Sequence, residues 1–153
     1  MIDDRIAALA DGEAVTVLRL VLERQGVPVD SASLRRTEQH LAEAVTGAEG
    51  LAEPDPDATP GALARTALAH LAGGDEATRE LVERAIAVQA GSRERFDPAT
   101  LGVGALVLLA FRTDVRLERD PEKGWTFKLH TKRLGDSSVG KLLSQLFGVY
   151  LKR

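Results

Sequence analysis

The sequence contains no cysteine, which excludes disulfides, thiolate metal sites and cysteine nucleophiles and fits a reducing compartment. Aromatic residues are scarce, at 4% of the chain, with one Trp and one Tyr. The longest apolar run, residues 101–111, contains two glycines and is much shorter than the ~20 residues of a membrane-spanning helix. We interpret this run as buried core and expect no membrane contact.

The start of the sequence also lacks the basic segment and long apolar stretch of a secretory signal, so we expect a cytoplasmic protein. Apolar residues make up 44% of the 153 residues, which is enough for one solid core. We therefore expect a single compact domain over residues 1–153. A subdivision into a helical body (1–96) and a helix–hairpin–helix unit (97–153) is the alternative.

Charge is unevenly distributed along the chain. Residues 1–111 contain 10 basic and 18 acidic residues, whereas residues 112–153 contain 10 basic and 5 acidic ones. A basic segment following an acidic body can attract an anionic partner, or it can be neutralised by the body of the same molecule. Both interpretations stay open at this point.

Apolar spacing predicts helices through the first two thirds of the chain. The first is short and closed by Asp11-Gly12, the second spans residues 13–24 and is apolar almost all round, and the third spans residues 31–46. An acidic loop at residues 47–59 holds two prolines and four acids. Thr59-Pro60, Asp75 and Asp97-Pro98 are N-cap sequences that open three further helices.

The period of the apolar residues changes from 3.6 to 2 after Arg112. Val115 and Leu117 alternate with charged residues, and Trp125, Phe127 and Leu129 alternate with polar or charged ones. A turn that contains proline and glycine separates the two segments, which predicts a β-hairpin. An amphipathic helix follows. The predicted fold class is therefore α+β, mainly α: a helical body followed by a C-terminal β-hairpin and a final amphipathic helix.

Residues 135–141 match the phosphate-binding loop pattern G-x-x-x-x-G-K. Leu142 stands where a magnesium-binding Ser or Thr is expected, and only twelve residues follow Lys141, whereas nucleotide hydrolases have further catalytic elements downstream. We therefore favour a simple helix cap. Binding of a phosphate or nucleotide ligand is the alternative, carried by Gly135, Ser137, Ser138, Gly140 and Lys141 with Lys132 and Arg133 nearby.

No residue pattern predicts catalysis. The three histidines, His40, His70 and His130, lie on separate predicted elements without metal-ligand spacing, so we expect packing or solvated roles for them. Carboxylates cluster only in loops, caps and exposed faces, and no two can be paired for acid–base chemistry. We expect a non-enzymatic protein with no cofactor and no metal.

The basic hairpin and the last helix form the predicted contact surface. Small residues recur every four positions along this helix, which lets another backbone approach closely, within the molecule or from a second copy. We expect the chain to bind another protein, and a homodimer is one complex of this kind. Nucleic acid is an alternative that we do not favour, because acidic residues dilute the basic patch and the hairpin aromatics share the apolar face. The predicted surface residues are Arg116, Lys128, His130, Gly140, Ser144 and Gly148.

The C-terminal third also resembles a known family in its layout. An apolar helix runs into Arg112-Thr113-Asp114-Val115-Arg116-Leu117-Glu118, followed by a turn, a second strand and a leucine-rich helix. This order, over residues 99–146, is similar to effector-associated components of bacterial conflict and signalling systems. The resemblance implies an adaptor that couples sensors to effectors, with no catalytic residues. It does not extend to residues 1–96.

Overall fold

The computed structural model describes residues 2–47, 57–91, 103–112, 115–122, 124–129 and 138–151. Within these ranges the chain forms seven helices and one antiparallel β-hairpin, which confirms the α+β, mainly α prediction. The helices are α1 Ile2–Ala7, α2 Asp11–Arg24, α3 Ser31–Gly47, α4 Pro60–Ala72, α5 Glu76–Ala90, α6 Val103–Ala110 and α7 Ser138–Leu151. The strands are β1 Val115–Asp120 and β2 Gly124–Leu129.

The boundary between the first two helices differs from the sequence prediction. Asp11 and Gly12 do not close α1 but form the first turn of α2. Glu13 explains the difference, because its Oε1 accepts the Ala10 N–H at 2.9 Å and so satisfies a backbone donor just ahead of the helix. The two acids in this first turn also interact favourably with the positive end of the helix dipole.

The predicted helix ends elsewhere follow local backbone chemistry. Gly26, at φ 79°, ends α2 in a Schellman motif, in which the Val27 N–H donates to the Leu22 carbonyl and the Gly26 N–H to the Glu23 carbonyl. Thr59 Oγ1 accepts the Ala62 N–H at 3.1 Å at the start of α4. The predicted cap at Asp97-Pro98 and residues 48–56 of the predicted acidic loop (47–59) lie outside the described residues.

The core is built around α2, α4 and α6. Helix α4 packs against α1, α2, α5, α6 and α7, and its alanines keep this helix narrow enough for several close neighbours. Helix α6 is apolar on every side and almost wholly buried, as expected of a helix that is surrounded by others. The hydrophobic core is continuous from α1 to α7 and includes Val115 of the hairpin.

Helix α3 holds the hairpin and α6 in place. It packs against both of them and against α7. Glu38 Oε1 accepts the Ala105 N–H at 3.1 Å, so a carboxylate from α3 satisfies a backbone donor in the first turn of α6. Helix α3 therefore positions the elements from which the candidate site is built.

Candidate interaction site

The hairpin is a six-residue antiparallel ladder. Val115 pairs with Leu129, and the register continues to Asp120 opposite Gly124. Asp120 Oδ1 accepts the Glu122 N–H at 2.8 Å within the turn. Gly124 has φ 80°, a conformation that side chains other than glycine rarely adopt. The turn sequence therefore fixes the register of the two strands.

The inner face of the hairpin packs on the helical body and is apolar except for the exposed Arg119 near the turn. Leu117 and Phe127 are cross-strand partners on this face, and the Phe127 ring lies 6.3 Å from that of Phe147 in α7, centroid to centroid. The Trp125 ring stacks on His40 of α3, with 3.8 Å between centroids and 12° between planes. These aromatic rings bind the hairpin to the body and are not free platforms for stacking on bases.

The outer face of the hairpin is polar, and its two cations differ in their partners. Arg116 and Lys128 lie directly opposite each other across the strands, an arrangement in which like charges repel. Lys128 Nζ lies 3.4 Å from Glu118 Oε1, so this cation has a carboxylate partner. Arg116 is exposed and forms no ion pair with any described carboxylate. The Arg116 guanidinium is the cation of this face that is available to an external anion.

Beside Arg116 lies an open groove of about 430 Å³ between the end of α6 and β1, which we call the α6–β1 groove. Arg112 forms part of its rim, and its Nη1 donates to the Leu109 carbonyl at 2.9 Å, which places a cation at the negative end of the helix. Four apolar side chains and two arginines line the groove within the described structure: Leu108, Leu109, Val115, Leu117, Arg112 and Arg116.

The remaining predicted surface residues are placed differently. Ser144 is half-buried and Gly148 is buried in α7, which packs against α3 and α4. The small-residue face of this helix therefore meets the protein's own body at Gly148. Gly140 belongs to the first turn of α7, and His130 lies outside the described residues. The structure thus brings Arg116 and Lys128 together on one face and places Gly148 elsewhere.

The segment that matches a phosphate-binding loop is only partly described. Gly135, Ser137, Lys132 and Arg133 lie outside the described residues, whereas Ser138, Gly140 and Lys141 form the start of α7, with the Lys141 side chain exposed. The preceding strand, β2, pairs antiparallel with β1, and the described strands include no parallel pair. A phosphate-binding loop follows a strand of a parallel sheet, so this context favours a helix cap.

Several tertiary contacts have no counterpart in sequence spacing. Besides the stack on Trp125, His70 of α4 stacks on Phe111, with 4.1 Å between ring centroids. Both described histidines thus pack on aromatic rings. Thr66 Oγ1 lies 2.6 Å from Gln145 Oε1 and 3.0 Å from the Ala62 carbonyl, so its single proton serves one acceptor at a time. The sequence carries no signal for this contact, because the burial of Gln145 follows from the packing of α7 on the other helices.

The resolved pKa shifts among the described residues belong to helix caps. Hydrogen bonds from the Ser33 backbone and side chain lower the pKa of Asp30 at the start of α3. Hydrogen bonds from the Thr78 side chain and backbone likewise lower the pKa of Asp75 at the start of α5. Both pKa shifts come from hydrogen bonds that cap helices at exposed positions. The described residues also contain no cluster of three or more His, Asp or Glu side chains arranged to hold a metal ion.

Comparisons with protein-family models, curated proteins and solved structures find no match to this chain. None of the described helices has both the length and the apolar character needed to cross a bilayer. The site is therefore interpreted from its own geometry.

Proposed function

We propose that this chain is a non-enzymatic adaptor that binds another protein through its hairpin and the adjoining α6–β1 groove. One observation carries the proposal: Arg116, without a carboxylate partner in the described structure, lies at the rim of an open apolar groove. Arginine beside apolar side chains is a combination enriched in protein interfaces. The layout resemblance of residues 99–146 to effector-associated components supports the same role.

The test is capture of partners by the immobilised full-length chain from an extract of the source cells. We expect Arg116→Glu to lose a partner that the native chain retains, because the substitution places a carboxylate where the partner's anion would lie. Lys141→Ala should retain the same partner, since this exposed lysine lies at the start of α7 and does not line the groove within the described residues. Loss in Lys141→Ala with retention in Arg116→Glu would contradict the proposed surface.

The alternative functions predict different results in a parallel experiment. A phosphate or nucleotide site at residues 135–141 predicts a saturable rise in melting temperature with ATP, GTP or inorganic phosphate that Lys141→Ala abolishes. A nucleic-acid contact through Arg116 and Lys128 predicts binding of DNA or RNA that weakens steeply as salt increases. An adaptor shows neither response, so either result would replace the present proposal.

A further inference from the structure

The α6–β1 groove follows the edge of a strand. Val115, Arg116 and Leu117 are consecutive in β1, and all three line the groove. Consecutive side chains of a strand point to opposite faces of a sheet. A groove that contacts all three therefore runs along the edge of β1 and not over one of its faces.

This edge is opposite to the one that pairs with β2. The described sheet has two strands, so every second peptide group of β1 points away from its partner strand. One of the β1 donors is already used, because the Val115 N–H donates to the Phe111 carbonyl at 2.9 Å. The remaining outward groups form an edge of the kind to which another strand can add.

The walls of the groove are fixed before anything binds. The bond from Val115 to Phe111 ties the start of β1 to the end of α6, and the bond from Arg112 to Leu109 holds the rim arginine against the same helix. Leu108 and Val115 are buried, so they belong to the core as well as to the groove. A preformed groove lowers the ordering cost of binding.

The charge of the groove selects the chemistry of its occupant. Its described lining contains two guanidinium groups and no carboxylate. The nearby Glu118 is already paired with Lys128. Arg116 lies on the outer face of the hairpin and Leu117 on the inner face, so a strand added at this edge would meet a cation and an apolar surface at alternate positions. An occupant with alternating acidic and apolar residues matches both features.

We propose that the α6–β1 groove binds an extended acidic segment of a partner protein, which adds to β1 as a third strand of the sheet. The apolar side chains of the segment pack on the groove floor, and its carboxylates pair with Arg116 and Arg112. This inference rests on the proposed adaptor function and specifies the chemistry of the partner.

A second copy of the chain is the competing occupant. Antiparallel pairing of two β1 strands about Leu117 would set Arg116 opposite Glu118 across the dimer axis. We favour the acidic segment because Glu118 already has Lys128 as its partner. Sedimentation of the free protein at increasing concentration distinguishes the two, since a dimer that Arg116→Glu disrupts would overturn the proposal.

The direct test uses synthetic peptides of about six residues, the length of β1, that alternate Glu with Val, Leu or Phe. Binding to the full chain is followed by calorimetry and by hydrogen exchange of the β1 amides. We expect saturable binding, with increased protection of those amides. Methylation of alternate peptide nitrogens should weaken binding at least about tenfold, because it removes the donors that pair with β1.

Matched variants test the charge contribution. Arg116→Ala and Lys128→Ala each remove one cation of the same cross-strand pair, but only Arg116 lines the groove. We expect Arg116→Ala to weaken peptide binding at least about threefold and Lys128→Ala to change it less than about twofold. Arg116→Glu should lose the acidic peptides and bind those in which Lys replaces Glu.

The outcomes separate this inference from the adaptor function. If no peptide in the series binds, or if N-methylated peptides bind equally well, strand addition is wrong. If partner capture still depends on Arg116 in that case, the adaptor function stands and only the mode of binding fails. If capture does not depend on Arg116 either, both proposals fail.

Discussion

At the level of residues, contacts between side chains that are far apart in the sequence hold the hairpin against the helical part of the molecule. The stack of His40 on Trp125 joins α3 to β2, and it gives the structure a built-in reporter, since the chain has one Trp. Neither residue stands in a pattern that predicts the contact. Such contacts form when separate elements pack together, so the spacing of residues in the sequence does not show which two residues will stack.

His40→Ala should expose Trp125 and lower the free energy of unfolding by about 0.5–1.5 kcal/mol, the range measured for aromatic pairs. Acrylamide quenching of tryptophan fluorescence checks the first effect and urea unfolding the second. His70→Ala is the matched control, because His70 stacks on Phe111 and should leave the quenching of Trp125 unchanged. Equal quenching in the two variants would contradict the described stack.

The buried contact between Thr66 and Gln145 gives a second prediction at this scale. Thr66→Val should cost about 1–3 kcal/mol, because it removes the donor to the buried Gln145 Oε1. Gln145→Leu should cost less, because the Thr66 hydroxyl can still donate to the Ala62 carbonyl. The double variant should cost less than the sum of the two by at least about 0.5 kcal/mol. Urea unfolding of all four proteins measures the coupling, and strict additivity would show that the two side chains do not interact.

Asp75 predicts a pH dependence of stability. Hydrogen bonds from Thr78 lower the folded-state pKa of Asp75, so its contribution is present above the unfolded value of about 3.9 and is lost as the pH falls through the lower folded value. Asp75→Asn should therefore lower the melting temperature at pH 7, and the difference from the native protein should shrink below about pH 4. A difference in melting temperature that is the same at pH 7 and below about pH 4 would contradict this contribution of Asp75.

At the scale of elements, the hairpin register depends on Gly124 and on its closeness to α3. A Cβ added at Gly124 would lie 2.6 Å from Glu43 Oε1, in addition to the cost of its positive φ. Gly26 has nearly the same φ, with no atom within 4 Å of such a Cβ. Substitutions at these two glycines therefore separate the free-energy cost of the positive φ from that of the contact with Glu43.

Gly124→Ala and Gly26→Ala should each lower the free energy of unfolding by about 1–2 kcal/mol because of the left-handed conformation. The loss of stability should be larger at Gly124, because the added Cβ also meets the Glu43 side chain. Combining Gly124→Ala with Glu43→Ala should remove this additional loss, because the Glu43 carboxylate is then absent. Thermal or urea unfolding checks both points. A Gly124→Ala variant as stable as the native protein would contradict the described turn.

Sequence patterns predicted most of the elements because their causes are local. The caps at Thr59 and Asp75 and the alternation in β1 are properties of a few neighbouring residues. The error at Asp11 arose because Asp-Gly is typical of turns, whereas Glu13 and the helix dipole make it a helix start. The sequence also predicted Arg116 and Lys128 as surface cations. It did not predict that, of these two, Lys128 has a carboxylate partner among the described residues and Arg116 has none, since that depends on side-chain geometry across the strands.

At the scale of the whole molecule, the acidic body and the basic C-terminal part are joined by one continuous core. The described contacts neutralise part of the basic segment, as in the Lys128–Glu118 pair, and leave Arg116 and Arg112 at the rim of the α6–β1 groove. The Lys128–Glu118 pair lies within the basic segment itself, so it does not test neutralisation by the acidic body, and attraction of an anionic partner stays a prediction. We propose that these two arginines contact a partner protein.

The most direct test of this claim is hydrogen exchange of the full chain, alone and bound to the partner that it captures. We expect amides of β1, from Val115 to Asp120, and those at the end of α6 to become more protected in the complex, and those of α5 to remain unchanged. Protection confined to the start of α7 around Lys141, or to α5, would contradict the proposed contact surface.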